Sequence, residues 1–139
     1  MSFAVPAEAY DRYMGRYSRG SLRRWSRISL GLRRVSAVLE VGCGPGALTS
    51  ELAGRAGAER VAAVDPSPGF VLACSERVPG ADVRDAPAEQ LPWPDDSFDA
   101  VVSQLVVSFL GDADAGLREM RRVGRNGGSI TACTWDLRR

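Results

Sequence analysis

The sequence predicts an α/β fold in which a parallel sheet of about five strands carries helices on both faces. Three observations predict it. From Val35 onward, short apolar β-rich runs alternate with helical stretches, the pattern of βαβ units. The first run ends in a glycine-dense loop, Gly42-Cys43-Gly44-Pro45-Gly46. The second ends in an acid, Asp65, directly before a helix start. In such a sheet crossovers are right-handed, and ligands sit at the carboxyl ends of strands where the winding reverses.

The elements follow in order. Residues 1–34 read as an N-terminal helical region and 35–139 as the sheet core, within one structural domain. Gly15, Gly20 and Gly31 divide the first region, which predicts two or more short helices between Ala7 and Arg34. Val35, Val38, Leu39 and Val41 form the first strand, since a parallel strand buried on both faces is apolar almost throughout. Ala47 to Arg55 is a helix, with Leu48 and Leu52 four apart on one face. Arg60 to Val64 is the second strand. Ser67 is placed to cap the next helix, with Pro68 at its first position, and that helix runs to about Arg77.

Ala81 to Arg84 is a short third strand and Phe98 to Ser103 a fourth. Ala113 to Val123 is a helix whose Leu117, Met120 and Val123 form one buried face. Gly127-Gly128 reads as a turn, and Ser129 to Thr134 as the fifth strand. Trp93 and Phe98 read as core anchors.

Composition narrows the function. A chain of 139 residues suits one domain. At that size folding buries roughly two-thirds of the exposed surface, so neither disulfides nor metals are needed for a core. The formal net charge of +1 gives no general pull toward nucleic acid or membrane, and neither is expected as a partner. Eight arginines between Arg12 and Arg34 face only Asp11 at the edge of that stretch. They read as a solvated face, with an anionic substrate or partner patch as the alternative. Histidine is absent, which removes the commonest general base and transition-metal ligand. Cys43, Cys74 and Cys133 have no metal-ligand spacing and are odd in number, so no metal site and no disulfide framework is expected. Without a signal-peptide pattern or an apolar run near the ~20 residues of a membrane span, the chain reads as reduced and cytoplasmic.

The glycine loop carries the chemistry. Gly42 permits a tight turn, and Gly44 and Gly46 let a flat ligand approach the backbone. The helix that follows offers unpaired N–H groups. The loop reads as G-x-G-x-x-A, a dinucleotide fingerprint, as G-x-G-x-G, a nucleoside loop, or as an ordinary strand-to-helix turn. Asp65 offers two oxygens to a pair of ribose hydroxyls. Its alternative role is a helix cap before Pro66, shared with Ser67.

Four further stretches bear on that choice. Leu91-Pro92-Trp93-Pro94-Asp95-Asp96-Ser97-Phe98-Asp99-Ala100-Val101-Val102 closely resembles the segment after the third strand in class I S-adenosylmethionine-dependent methyltransferases. The resemblance is to the group that includes the ubiquinone and menaquinone biosynthesis enzymes. Tyr10 to Ser18, Val64 to Phe70, and Arg118 to Val123 before Gly127-Gly128 are similar to the same group, in the same order.

The resemblance implies a Rossmann-like sheet of strand order 3-2-1-4-5 and S-adenosyl-L-methionine as cofactor. It implies that Glu40, Gly42, Cys43, Gly44 and Gly46 line the methionine portion. Asp65 would hold the ribose, with Pro66 or Ser67 beside the adenine. Ala88 and Glu89 would read the adenine edge, although the family's acid just before that pair is Pro87 here, and Asp85 lies two residues early. Gln104 would face the methionine end and the substrate. Tyr10 or Tyr13 would belong to an N-terminal flap, packing of the first helix being the alternative for both.

Family members commonly continue for many tens of residues after the fifth strand, adding two strands that cover its edge. This chain ends at Arg139, and its Pro-Gly-Gly turn is replaced by Asn126-Gly127-Gly128. An open fifth edge predicts that the isolated chain self-associates, as a homodimer through that edge, or is only marginally stable, the alternative being that the N-terminal helices fold over the edge. The expected activity is methyl transfer to a small-molecule acceptor, with any base drawn from Asp, Glu or Tyr and no catalytic residue singled out. The alternatives are a non-catalytic binder of S-adenosylmethionine or S-adenosylhomocysteine, and an NAD-binding oxidoreductase domain.

Overall fold

The computed structural model describes residues 5–15 and 37–134. Val35, the arginines from Arg16 to Arg34, the further helices expected before Arg34 and the terminal Trp135 to Arg139 lie outside those residues. The first helix, α1, occupies residues 7–15.

Five parallel strands follow: β1 Val38–Val41, β2 Val61–Asp65, β3 Asp82–Asp85, β4 Phe98–Gln104 and β5 Gly124–Cys133, in the order β3-β2-β1-β4-β5. The helices between them are α2 Ala47–Ala56, α3 Pro68–Arg77 and α4 Ala113–Val123. The central position of β1 explains its composition, since all four of its residues are buried.

Alternation along the strands splits the core in two. Val38, Val61, Ala100 and Val102 pack against Leu48, Leu52 and Ala56 of α2. Ala63 packs on that face with Cys43 and with Cys74 of α3. On the opposite face Leu39, Val41, Ala62, Val64 and Val101 meet Met120 and Val123 of α4. Leu91, Trp93 and Phe98 complete this second cluster, with the two rings edge to face at 5.5 Å. Arg122 staples the 91–95 segment to α4, donating to the Leu91 and Trp93 carbonyls at 3.0 and 2.9 Å and pairing with Asp95 and Glu119. The segment that carries most of the family resemblance is therefore a fold element.

Three local expectations are corrected. Leu117 is 40% exposed, and the buried stripe of α4 runs through Gly116, Met120 and Val123. Gly116 lies so close to Leu110 that an added Cβ would meet its Cδ1 at 2.6 Å, so the absence of a side chain seats the helix. Gly127-Gly128 is not a separate turn. Strand β5 begins at Gly124, and the two glycines lie in a register shift opposite Asp99, with Gly127 at φ +80°. Ser67 occupies the N-cap position of α3 without a side-chain capping bond, and Asp65 instead accepts its N–H.

The two sheet edges differ. Edge strand β3 is four residues long and carries Asp82, Arg84 and Asp85. Edge strand β5 is ten residues long, carries Arg125 as its one charge, and leaves Ile130 44% exposed.

Candidate cofactor-binding site

The carboxyl ends of β1, β2 and β4 converge on one cleft. After Val41 the chain turns back through Gly42 at φ +78°, and the N–H groups of Gly42 and Cys43 both donate to the Val64 carbonyl, at 2.8 and 3.0 Å. That anchors the glycine loop to the end of β2. An added Cβ at Gly42 would meet the Val106 methyls at 2.4 and 2.7 Å, which seals the loop against the segment after β4.

Asp65 ties both strand ends together. Its Oδ2 accepts from Gly44 N at 2.9 Å, and its Oδ1 accepts from Ser67 N at 2.9 Å. The Ser67 hydroxyl adds a further hydrogen bond to this carboxylate. Burial pushes the Asp65 carboxyl up, and the two N–H donors only partly offset this.

Glu40 lies deeper, 2% exposed, and accepts a 2.5 Å hydrogen bond from the Thr49 hydroxyl of α2. Burial raises its carboxyl well above the ordinary range, against the opposing pull of Thr49. A buried carboxyl of this kind favours a cation beside it. Tyr10 closes the cleft from α1. Its ring sits 4.9 Å from that of Phe70 and within 3.4 Å of the Cβ position of Gly44. Burial, followed by the charges of Asp65 and Glu40, raises its phenol, which stays a donor.

Two hollows that share Tyr10, Gly42, Gly44 and Leu105 result. The larger is bordered by Tyr10, Gly42, Gly44, Asp65, Pro66, Ala88 and Glu89 among the expected residues. The smaller is bordered by Tyr10, Glu40, Gly42, Cys43, Gly44 and Gln104. Gly46 and Ser67 border neither and act from behind. Gly46 lies against Cys74, and Ser67 supplies an N–H to Asp65. Tyr13 is 64% exposed and borders neither hollow. The Glu89 carboxylate also accepts from Asp112 N at 3.3 Å, which ties it to the start of α4. Asp85 is exposed and lies beside Asp65 in the register of β2 and β3.

Sequence reasoning missed the apolar wall made by Phe70, Leu105, Val106, Phe109 and Leu110. Phe70 had a signal, being three residues past the helix cap and so on the face of α3 above Asp65. The residues after β4 had none, because their place depends on a backbone bend. Leu105 adopts φ +60°, which costs a non-glycine residue about 1–2 kcal/mol, and is held there by its N–H to the Cys133 carbonyl at 2.8 Å.

The donor set fits S-adenosylmethionine. Both polar atoms of the Gln104 amide are buried without a partner among the described residues, beside Glu40 and the glycine loop. Such a group is costly unless a ligand answers it.

Comparison with known proteins agrees. The methyltransferase domain family matches residues 39–132. A malonyl-[acyl-carrier protein] O-methyltransferase of Pseudescherichia vulneris is 34% identical over 137 residues, covering 96% of this chain and 51% of that protein. A ubiquinone/menaquinone biosynthesis C-methyltransferase of Stenotrophomonas maltophilia is 35% identical over 136 residues, covering 91% and 54%. The chain thus spans about half the length of these curated relatives. Among solved structures, a SAM-dependent methyltransferase from Aquifex aeolicus superimposes with TM-score 0.71 at 22% identity, covering 85% of this chain and 63% of that one. At that identity the likeness establishes the fold alone. With the family match spanning β1 to β5 and relatives above 30% identity along nearly all its length, the chain belongs to the class I S-adenosylmethionine-dependent methyltransferases.

Proposed function

We propose that the cleft binds S-adenosylmethionine and that the chain transfers its methyl group to a small-molecule acceptor. The observation that carries this reading is the Asp65 carboxylate, which braces two strand ends where it borders the larger hollow, with the buried Gln104 amide, unpartnered among the described residues, bordering the smaller one. Gly42, Gly44 and Cys43 offer their backbone to the methionine portion, with Glu40 and Gln104 at its polar end. Asp65 receives the ribose hydroxyls. Pro66, Ala88, Glu89 and Phe70 flank the adenine, and Tyr10 covers it.

When bound, S-adenosylmethionine supplies an electrophilic methyl group on a positively charged sulfonium. The chain's own residues orient the reactants and exclude water. Glu40 and Asp65 together place negative charge beside a cationic ligand. An acceptor that is already anionic, or ionises readily, needs no base, which suits a chain without histidine. The two relatives' names, one O-methylating a malonyl group and one C-methylating in quinone biosynthesis, fit acceptors of that kind.

Calorimetry tests the cofactor. S-adenosylhomocysteine is expected to bind and NAD to give no heat. Binding of NAD alone would overturn the reading in favour of an oxidoreductase domain.

We also propose that two copies of the 139-residue chain pair through β5, and that the buried Cys43 and Cys74 thiols belong in a reducing, cytoplasmic setting. Among the described residues no strand pairs with the outer edge of β5, whose one charge is Arg125. Two such edges related by a twofold axis would satisfy each other. Sedimentation across a concentration series is expected to show a monomer–dimer equilibrium. A monomer at every concentration, with cooperative unfolding, sinks the edge-pairing proposal.

A further inference from the structure

The glycine loop and α3 bring two thiols together beneath the cleft. Cys43 is the second residue of the loop and borders the smaller hollow. Cys74 is on the inner face of α3 and fully buried. The two pack in one small buried cluster with Ala63. Cys43 also donates to the Gly44 carbonyl at 3.4 Å, and Cys74 to the Thr49 hydroxyl at 3.5 Å. The proposed methyl transfer uses neither sulfur.

We infer that Cys43 and Cys74 form an intrachain disulfide on exposure to a peroxide, and that this disulfide closes the cofactor site. Cys43 is where a peroxide in the cleft meets the pair. Its sulfur takes one peroxide oxygen as the O–O bond breaks, giving a sulfenic acid and one water. The Cys74 sulfur then attacks the Cys43 sulfur, the S–O bond breaks, and the leaving hydroxide departs as water with the Cys74 proton. The pair loses two electrons, the peroxide gains two, and two waters leave. The neighbouring Cys43 thiol, with Thr49 and Arg77, lowers the Cys74 thiol below its ordinary value against the opposing cost of burial, which favours it as the attacking partner, while the same pairing and burial push the Cys43 thiol up.

The consequence for binding follows from the neighbours. A disulfide holds its sulfurs far closer than two thiols that are merely packed together. Closing it draws Cys43 inward and breaks its bond to the Gly44 carbonyl. Gly44 is the residue whose N–H Asp65 holds, so the loop and the ribose acceptor lose their shared alignment. This inference rests on the cofactor reading above for its effect, and on the thiol geometry alone for the bond.

The test uses the full chain with Cys133→Ser, which removes the third cysteine, treated with hydrogen peroxide and then dithiothreitol. Non-reducing peptide mapping is expected to yield a peptide linking residues 43 and 74. S-adenosylhomocysteine affinity measured by calorimetry is expected to fall at least tenfold on oxidation and to recover on reduction. In a further Cys74→Ser variant, affinity before and after peroxide is expected to be the same within a factor of two. Absence of the 43–74 peptide under peroxide overturns the disulfide, and a linked chain that binds as tightly as the reduced one overturns the closure. A reduced chain that never binds S-adenosylhomocysteine defeats the cofactor reading instead, while the peptide map still decides the disulfide.

Discussion

Replacing Asp65 by alanine is expected to weaken S-adenosylhomocysteine binding by about 10- to 150-fold, or about 1.5–3 kcal/mol, the range for losing hydrogen bonds to a charged acceptor. The residue does two tasks with one carboxylate. It holds Gly44 N and Ser67 N, and it borders the larger hollow where the ribose is proposed to lie. Alanine therefore leaves two buried N–H groups without their acceptor, and unfolding in urea should show a stability loss alongside the affinity loss. Asp65→Asn separates the two. Its single oxygen keeps one of the N–H bonds while its amide opposes the other, so it should bind more weakly than the parent and more tightly than alanine. Calorimetry and urea unfolding on the three proteins check this. A folded alanine variant with unchanged affinity would show that Asp65 only braces the loop.

A larger effect on stability is expected at Gly46. This residue holds φ +95°, and a Cβ there would lie 2.8 Å from Cys74 Sγ and 3.1 Å from Cys74 Cα. A side chain at that backbone angle costs about 1–2 kcal/mol. Pushing against the α3 backbone, which cannot rotate aside as a side chain can, costs about 1–3 kcal/mol more. Gly46→Ala should therefore lower stability by about 2–5 kcal/mol, a large share of the 5–15 kcal/mol typical of a domain. Gly54→Ala is the internal control. It lies within α2, where an added Cβ meets nothing within 4 Å. Removing a glycine from a helix interior there should raise stability by about 0.5–1 kcal/mol. Equal unfolding midpoints for the two variants would refute the packing argument.

The parallel sheet and the boundaries of α3 and α4 were legible because local chemistry and burial agree there. Ser67-Pro68 starts α3 where expected, and the apolar runs of β1, β2 and β4 are buried throughout apart from Asp99. Leu117 misled because hydrophobic periodicity weighs side chains. The helix is instead seated by Gly116, which contributes none. The turn at Gly127-Gly128 misled because glycine pairs mark turns and bulges alike, and only the register with β4 distinguishes them. The backbone framework of the site could be read from Gly42, Gly44 and Asp65. The apolar wall could not, because Leu105 to Leu110 reach the cleft through a left-handed residue that no side-chain pattern announces.

On the proposed cofactor reading, the way α1 is attached sets how long a ligand stays. Links from α1 to the core include the bidentate Asp11–Arg77 pair, at 2.9 and 3.1 Å, and the contact of the Tyr10 and Phe70 rings. Arg77 also reaches the Pro45 carbonyl in the glycine loop at 3.4 Å, so one guanidinium clasps both roof and floor. Departure of a covered ligand must part these links, and the ion pair is partly exposed to solvent. Added salt weakens a partly exposed ion pair of this kind. Dissociation of S-adenosylhomocysteine, followed by stopped-flow, is therefore expected to speed up as ionic strength rises, through a clasp more than sixty residues away in sequence from the helix it holds.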